Sequence, residues 1–228
     1  MDHAVLTSVI AARCARGGLD LVASCAAADY NVRVPDDVRL PDFGRPRALV
    51  VVVGNTRALW PHVRGAKGRA PVDDHAAATI HAAVSIALAG CTPRPATELR
   101  FAPEPPPRRI ALQRLAEIAG LAWLSPSHLS VHPTYGPWIA LRAAIVIDVD
   151  GPPSHEPPAP PCDCARGCGP ALDRALAAGE PRGRNDLRER WRLWLAVRDA
   201  CPVGRDHRYG DAQIRYHYTG DRAALKRD

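Results

Sequence analysis

Aromatic residues are scarce in this 228-residue chain, with two Phe, five Tyr and five Trp, and there is a single Met. No stretch reaches the ~18 consecutive apolar residues of a membrane-spanning helix. The N-terminus, MDHAVLTSVIAARCARG, lacks the basic start, apolar run and small-residue cleavage site of a secretion signal. A soluble, cytoplasmic protein is expected, with no membrane partner. The formal net charge is +6, yet no lysine-rich run and no interleaving of aromatic and basic residues occurs, which weighs against nucleic acid as a partner. GxGxxG, the Walker loop, GxSxG and HExxH are all missing. Dinucleotide, nucleoside triphosphate, α/β-hydrolase and zinc-protease chemistry therefore have no residues to stand on.

What is present is an ordinary apolar fraction, 46%, which calls for a core, together with abundant Ala and Arg and 23 prolines, ten of them clustered at 103–107 and 152–161. Such clusters read as stiff surface connections. Arginines crowd into residues 182–227, a basic balance that suits an anionic lipid or a small anionic ligand as well as nucleic acid. The seven cysteines, Cys14, Cys25, Cys91, Cys162, Cys164, Cys168 and Cys201, are odd in number, which argues for reduced thiols over a disulfide framework.

Pattern predicts a helix over 5–17, with Thr7 as a candidate N-cap and Gly17-Gly18 at its end. A strand over Leu21–Tyr30 and a Pro-punctuated connection, Val34–Pro46, follow. Ala48–Val53, ALVVVV, is a β-branched run closed by Gly54-Asn55, which marks a central strand buried on both faces. Asp73 and Asp74 precede a helix over His75–Ala89, and Glu98–Ala102 reads as a short strand. Arg108–Leu124 carries Ile110, Leu112, Leu115, Ile118 and Leu121 at near-helical spacing. The longest apolar strand runs from Trp138 to Val149. Beyond the proline-rich stretch GPPSHEPPAPP come helices at about 170–179 and 185–199 and an Arg/Tyr/His-rich tail. The division expected is an α+β body over 1–150, a connection over 151–161 and a helical C-terminal cap over 162–228. Order and strand length favour α+β over a doubly wound sheet.

The polar, aromatic loop His128–Trp138 runs directly into that longest strand, and a loop anchored on a buried strand holds its side chains in place. It is the first candidate binding site. Each residue has a plainer reading as well: Trp138 packed under the sheet, His132 hydrogen-bonded to backbone in a turn, Arg174 and Arg222 as solvated charges. Trp191, Trp194 and Leu195 read as the buried face of a helix. His75 and His81 are six apart, off the i, i+4 spacing of a metal pair, and read as structural.

Several segments taken together carry a family resemblance: Asp29-Tyr30-Asn31, Pro71-Val72-Asp73, His132-Pro133-Thr134-Tyr135-Gly136-Pro137-Trp138 with Arg142, Asp163-Cys164, Asp173-Arg174, Arg198-Asp199-Ala200, Arg208-Tyr209, Gln213, Tyr216 and Asp221-Arg222-Ala223-Ala224-Leu225. In order and spacing they resemble the cytosolic vitamin B12 processing proteins of the cblC type, the family of combined methylmalonic aciduria and homocystinuria. The resemblance implies a flavin-nitroreductase-like mixed sheet flanked by helices. It also implies base-off binding of cobalamin and removal of its upper ligand, by alkyl transfer to glutathione or by reductive decyanation, with FMN as one electron donor. Carried over, it places His132, Tyr135, Gly136 and Trp138 at the corrinoid and Arg174, Arg222 and Cys164 at glutathione. No catalytic side chain is assigned, because the nucleophile is the substrate's sulfur, which nearby guanidinium groups would activate and hold. The family further implies a monomer or a ligand-promoted dimer, and a B12-dependent enzyme or reductase as partner.

Cys162-x-Cys164-x3-Cys168 with Cys201-Pro202-Val203-Gly204 is richer in cysteine than that family and is similar to the epoxyqueuosine reductases, which combine a corrinoid with iron-sulfur clusters. The ferredoxin spacing is broken, however. Four thiolates holding a cluster or a zinc ion, and free thiols with no metal, both stay open. Two alternatives to the processing enzyme follow: an iron-sulfur corrinoid reductase and a non-catalytic cobalamin carrier.

Overall fold

The computed structural model describes all residues except 1, 103, 155, 157, 158, 180–188, 227 and 228. Its centre is a four-stranded sheet in the order β1-β2-β6-β3, built from β1 (Leu21–Ala26), β2 (Ala48–Asn55), β3 (Thr97–Phe101) and β6 (Ala140–Asp150). Every pairing is antiparallel, so the mixed sheet expected from the resemblance is an antiparallel one in an α+β fold. A second, two-stranded sheet pairs β4 (Trp123–Leu124) with β5 (Ser130–Val131).

The valine run of β2 forms an interior strand, as its pattern predicts, and all eight of its residues are buried. The alternation of a strand sends Leu49, Val51 and Val53 to one face and Ala48, Val50 and Val52 to the other. On the first face they meet α1 (His3–Arg16) and, beyond the short α3 (Trp60–Val63), α4 (Pro71–Ala87) through Leu6, Ile10, Cys14, Ile80 and Val84. On the second they meet α2 (Ala27–Asn31) and α5 (Leu112–Ile118) through Tyr30, Leu115 and Ile118. Helices on both faces remove the need for a polar face, so β2 and β6 read as continuous apolar runs although the sheet is antiparallel. Burial of each large side chain in these strands contributes roughly 2 kcal/mol.

Element ends depart from expectation for local reasons. Asp2, not Thr7, caps α1, accepting the Ala4 N–H at 2.8 Å. The β1 strand stops at Ala26, where the β-poor AADYN turns into α2 and Tyr30 donates to the Val38 carbonyl at 3.1 Å and accepts from the Ala111 N–H at 3.0 Å. Helix α4 starts at Pro71, since proline suits a first helical turn, with Asp73 and Asp74 placed in that turn. The helix read over Arg108–Leu124 shrinks to α5: Gly120, at φ +71°, ends it and Trp123–Leu124 joins the hairpin.

Past the sheet lie α6 (Gly169–Ala177), α7 (Trp191–Asp199) and α8 (Asp211–Thr219). The predicted start of the second C-terminal helix, 185–188, lies outside the described residues. Pattern missed α8 in the tail. No helix among the described residues is long and apolar enough to cross a membrane.

If β6 is the keystone of this packing, Ile145→Ala, at a fully buried position, lowers unfolding free energy by about 2–5 kcal/mol in urea titration. Val32→Ala, at a position 77% exposed, stays within about 0.5 kcal/mol of the parent.

Candidate functional site

The loop between β5 and β6 is closed by reciprocal backbone hydrogen bonds between His132 and Gly136, of 2.9 and 2.8 Å. The His132 Nδ1 accepts the N–H groups of Thr134 at 3.0 Å and Tyr135 at 3.3 Å, which leaves the hydrogen of the neutral ring on Nε2. Burial lowers the His132 pKa, as does His207, while Asp20 opposes them. The His132 ring is thus hydrogen-bonded to backbone within a turn, with its Nε2 edge uncommitted by these bonds.

The loop's aromatic residues turn towards the C-terminal section. The Tyr135 ring stands 4.7 Å from that of His132 and 4.8 Å from that of His207. Trp138 is 1% exposed; it meets Tyr209 at 5.6 Å, and the guanidinium groups of Arg198 and Arg208 stand over its ring at 6.0 and 5.6 Å. Gly136 has φ +57°, and a Cβ there would overlap the Val203 carbonyl. Gly204, at φ +71°, abuts the Tyr135 carbonyl in the same way. Only residues without a side chain let the two backbones approach so closely.

Two cavities flank the start of β6. The first, of about 540 Å³, has walls of Ile110, Leu112, Leu124, Leu129, Ile139 and Leu141, with Arg114 and Arg198 at its margin. The second, of about 560 Å³, is lined by Arg69, Asp73, Arg142 and Arg222 with Trp194, Tyr216, His217 and Tyr218. Ser130 of β5 and the loop residues Pro137 and Ile139 line the first cavity, whereas His132, Tyr135, Gly136 and Trp138 line neither.

Arg142 organises the basic cavity. Its Nε donates to Asn55 Oδ1 at 2.7 Å and Nη1 to Asp73 Oδ1 at 3.4 Å, while the buried Nη2 has no partner. Burial works against its charge; Tyr209, Asp73 and Tyr216 support it. The side chain of His217 is buried beside it, and burial first, then Arg142 and Arg198, lower its pKa to about 3. His217 is therefore neutral at physiological pH. Tyr209 is pushed up to about 12 by burial. Nη2 of Arg142, the Tyr209 hydroxyl, Gln213 Nε2 and His217 Nε2 are four of the seven buried side-chain polar atoms without a hydrogen-bond partner among the described residues. A buried group of this kind needs a reason, and a polar ligand is one.

The remaining predicted residues are dispersed. Arg222 lines the basic cavity; Arg174 is exposed on α6; Cys164 is 8% exposed, among other cysteines and away from both cavity linings. No two of the seven cysteines are joined by a disulfide. Trp191 and Leu195 pack against the Trp138–Tyr209 cluster, His75 Nε2 lies 2.8 Å from the Gly17 carbonyl oxygen and His81 meets Phe101. Arg69, Asp73, Arg198 and His217 were not singled out from sequence as site residues. Asp73 reads there as a helix-start residue, and nothing local distinguishes His217 from a solvated tail.

This fold recurs in known structures. It aligns with the B12-trafficking protein CblC of C. elegans, a human MMACHC homologue, over 98% of this chain and 95% of that one, at TM-score 0.69 and 16% identity. Selenomethionine-labelled epoxyqueuosine reductase aligns over 92% of this chain and 68% of its own at TM-score 0.59 and 14% identity. The epoxyqueuosine reductase of Bacillus subtilis aligns over 91% and 68% at 0.55 and 13%. No protein-family model matches the sequence, and no curated protein matches it.

Gly136→Ala is expected to cost about 3 kcal/mol or more of stability in denaturant titration, because the Val203 backbone has to yield; Gly90→Ala, where a Cβ meets nothing within 4 Å, serves as the neutral control. His217 supplies a pH test. It stays neutral in the fold but protonates in the unfolded chain below about 6.5, so its contribution is intact above that pH and is lost as pH falls towards about 3. Urea unfolding at about pH 4 and about pH 7.5 is expected to show a smaller acid loss in His217→Gln than in the parent.

Proposed function

We propose that the chain binds cobalamin and processes it, holding a base-off corrinoid at the apolar cavity and a thiol peptide such as glutathione at the basic one. The observation that carries this reading is the placement of the two cavities on either side of β6, one apolar and one with a buried guanidinium that has a free N–H edge. A corrinoid is a broad, amide-fringed ligand and calls for apolar walls with a few polar groups at the margin. The leucine and isoleucine walls with Gln113, Arg114 and Arg198 have that composition. Glutathione brings two carboxylates, which suit the planar forks of Arg142 and Arg222.

In this reading the protein supplies position and charge, and the thiol does the chemistry. The thiol loses its proton, its sulfur forms a bond to the alkyl carbon, and the cobalt–carbon bond breaks with its electron pair left on cobalt. The products are a thioether and cob(I)alamin. For cyanocobalamin, an external donor such as reduced FMN supplies the electrons and is itself oxidised, and cyanide leaves. Full-length alignment with the B12-trafficking CblC supports the corrinoid. The role of His132 in this reading is to shape the loop whose Pro137 and Ile139 wall the apolar cavity, and Arg174 and Cys164 stand outside the thiol pocket.

Addition of the protein to methylcobalamin is expected to shift its visible spectrum from base-on to base-off, and glutathione then to yield S-methylglutathione. An unchanged spectrum at saturating protein overturns corrinoid binding, and tight binding without turnover under any thiol or reductant makes the chain a carrier. His132→Ala is expected to weaken methylcobalamin binding by loosening the loop. Arg222→Ala, at an exposed position, is expected to leave stability within about 0.5 kcal/mol while lowering glutathione affinity about tenfold, the effect of one lost charge-assisted hydrogen bond.

A further inference from the structure

Neither cavity uses the cysteines at 162–168 and 201, and the fold gathers them although Cys168 and Cys201 are 33 positions apart. The sulfur atoms of Cys162 and Cys164 are 3.8 Å apart. Cys168 is a further hydrogen-bonding neighbour of Cys164, and Cys162 is one of Cys201. The two segments are packed together: a Cβ on Gly167 would stand 3.2 Å from the Asp163 carbonyl oxygen and 3.5 Å from the Pro202 ring. Ala171, Ala175 and Val197 close the surroundings.

We propose that Cys162, Cys164, Cys168 and Cys201 form a structural site for a single zinc ion. Tetrahedral zinc with zinc–sulfur bonds of about 2.3 Å places its ligand sulfurs about 3.8 Å apart, the separation found for Cys162 and Cys164. Cys164-x3-Cys168 has a spacing common in such sites. Among the described residues no three His, Cys, Asp or Glu side chains stand as a preformed metal site. The sulfurs hold one another pairwise as thiols, and Cys168 donates to Ser127 Oγ at 3.2 Å. Binding exchanges four thiol protons for the ion, leaves the centre with two negative charges, and requires side-chain rotation to bring the sulfurs to one centre. Two features oppose that charge: the Val203 N–H bonded to the Cys201 sulfur, and the N-terminal end of α6, which begins directly after Cys168.

One ion fits better than an iron-sulfur cluster. A single ion needs only four sulfurs around one centre, whereas the chain lacks the cysteine spacing of a ferredoxin-type cluster. The ion would staple the 162–168 segment to Cys201, two residues before the Val203 carbonyl that meets Gly136. Zinc would thereby set how the C-terminal section sits on the loop, whether or not a corrinoid binds.

The test is metal analysis of the reduced full chain, purified anaerobically from zinc-supplemented culture. About one zinc per chain is expected, released in step with a mercurial thiol reagent, with intense visible bands of tetrahedral cobalt–thiolate after cobalt exchange. Cys201→Ser and Cys162→Ser are expected to lose the ion, and Cys91→Ser to keep it. If a variant fails to fold, mercurial release from the parent still decides. Metal-free protein with all seven thiols titratable and no cobalt uptake overturns the site, as does iron with inorganic sulfide in place of zinc. The methylcobalamin spectrum on the same sample is read separately, so loss of one result leaves the other standing.

Discussion

The backbone of the loop before β6 and the backbone of the segment after α7 meet with no side chain between them. Gly136 and Gly204 both have positive φ, and neither has room for a Cβ. Such a contact is stiff, because it has no rotamer through which to relax. It brings Tyr135 against His207 and Trp138 against Tyr209, and so fixes the C-terminal section on the sheet at the end where both cavities open. Change that spacing and the walls of both cavities move.

Around this contact the protein keeps one guanidinium in a place where charge is costly. Arg142 is held by Asn55 from β2 and Asp73 from α4, so the sheet and a helix on its face share one cation. The neutral state of His217 follows from that choice: burial already disfavours its proton, and a second positive charge next to Arg142 and Arg198 adds repulsion. The cavity is left with Arg69, Arg142 and Arg222 against Asp73, a positive balance that the fold maintains across the physiological pH range.

The body of the fold was legible because its signals are local. Four valines in a row, a proline before two aspartates, and glycine at a helix end each carry their meaning within a few residues, and β2, α1 and α4 emerged close to where pattern placed them. The identity of the loop was legible too, but its orientation was not. Whether Trp138 faces a ligand or Tyr209 depends on a residue 71 positions away. Tail helix α8 is not legible as a helix because DAQIRYHYT is mostly polar and buries Gln213 beside Ile214, while His217 packs on Trp60 and Tyr209; no apolar periodicity advertises a helix of that kind. The cysteines could be counted from the sequence, but their convergence needs the packing of α6 on α7 through Ala171, Ala175 and Val197.

Helix α7 contributes to both cavities, through Trp194 to the basic one and through Arg198, one turn further, to the apolar one. A shift of that helix therefore reshapes two walls at once. Whatever free energy an occupant of one cavity spends on moving α7, the occupant of the other feels as a change in its own affinity, and linkage makes the effect equal in both directions. The helix acts as a shared partition, so the order in which two ligands arrive alters the path to the filled protein but not their mutual dependence.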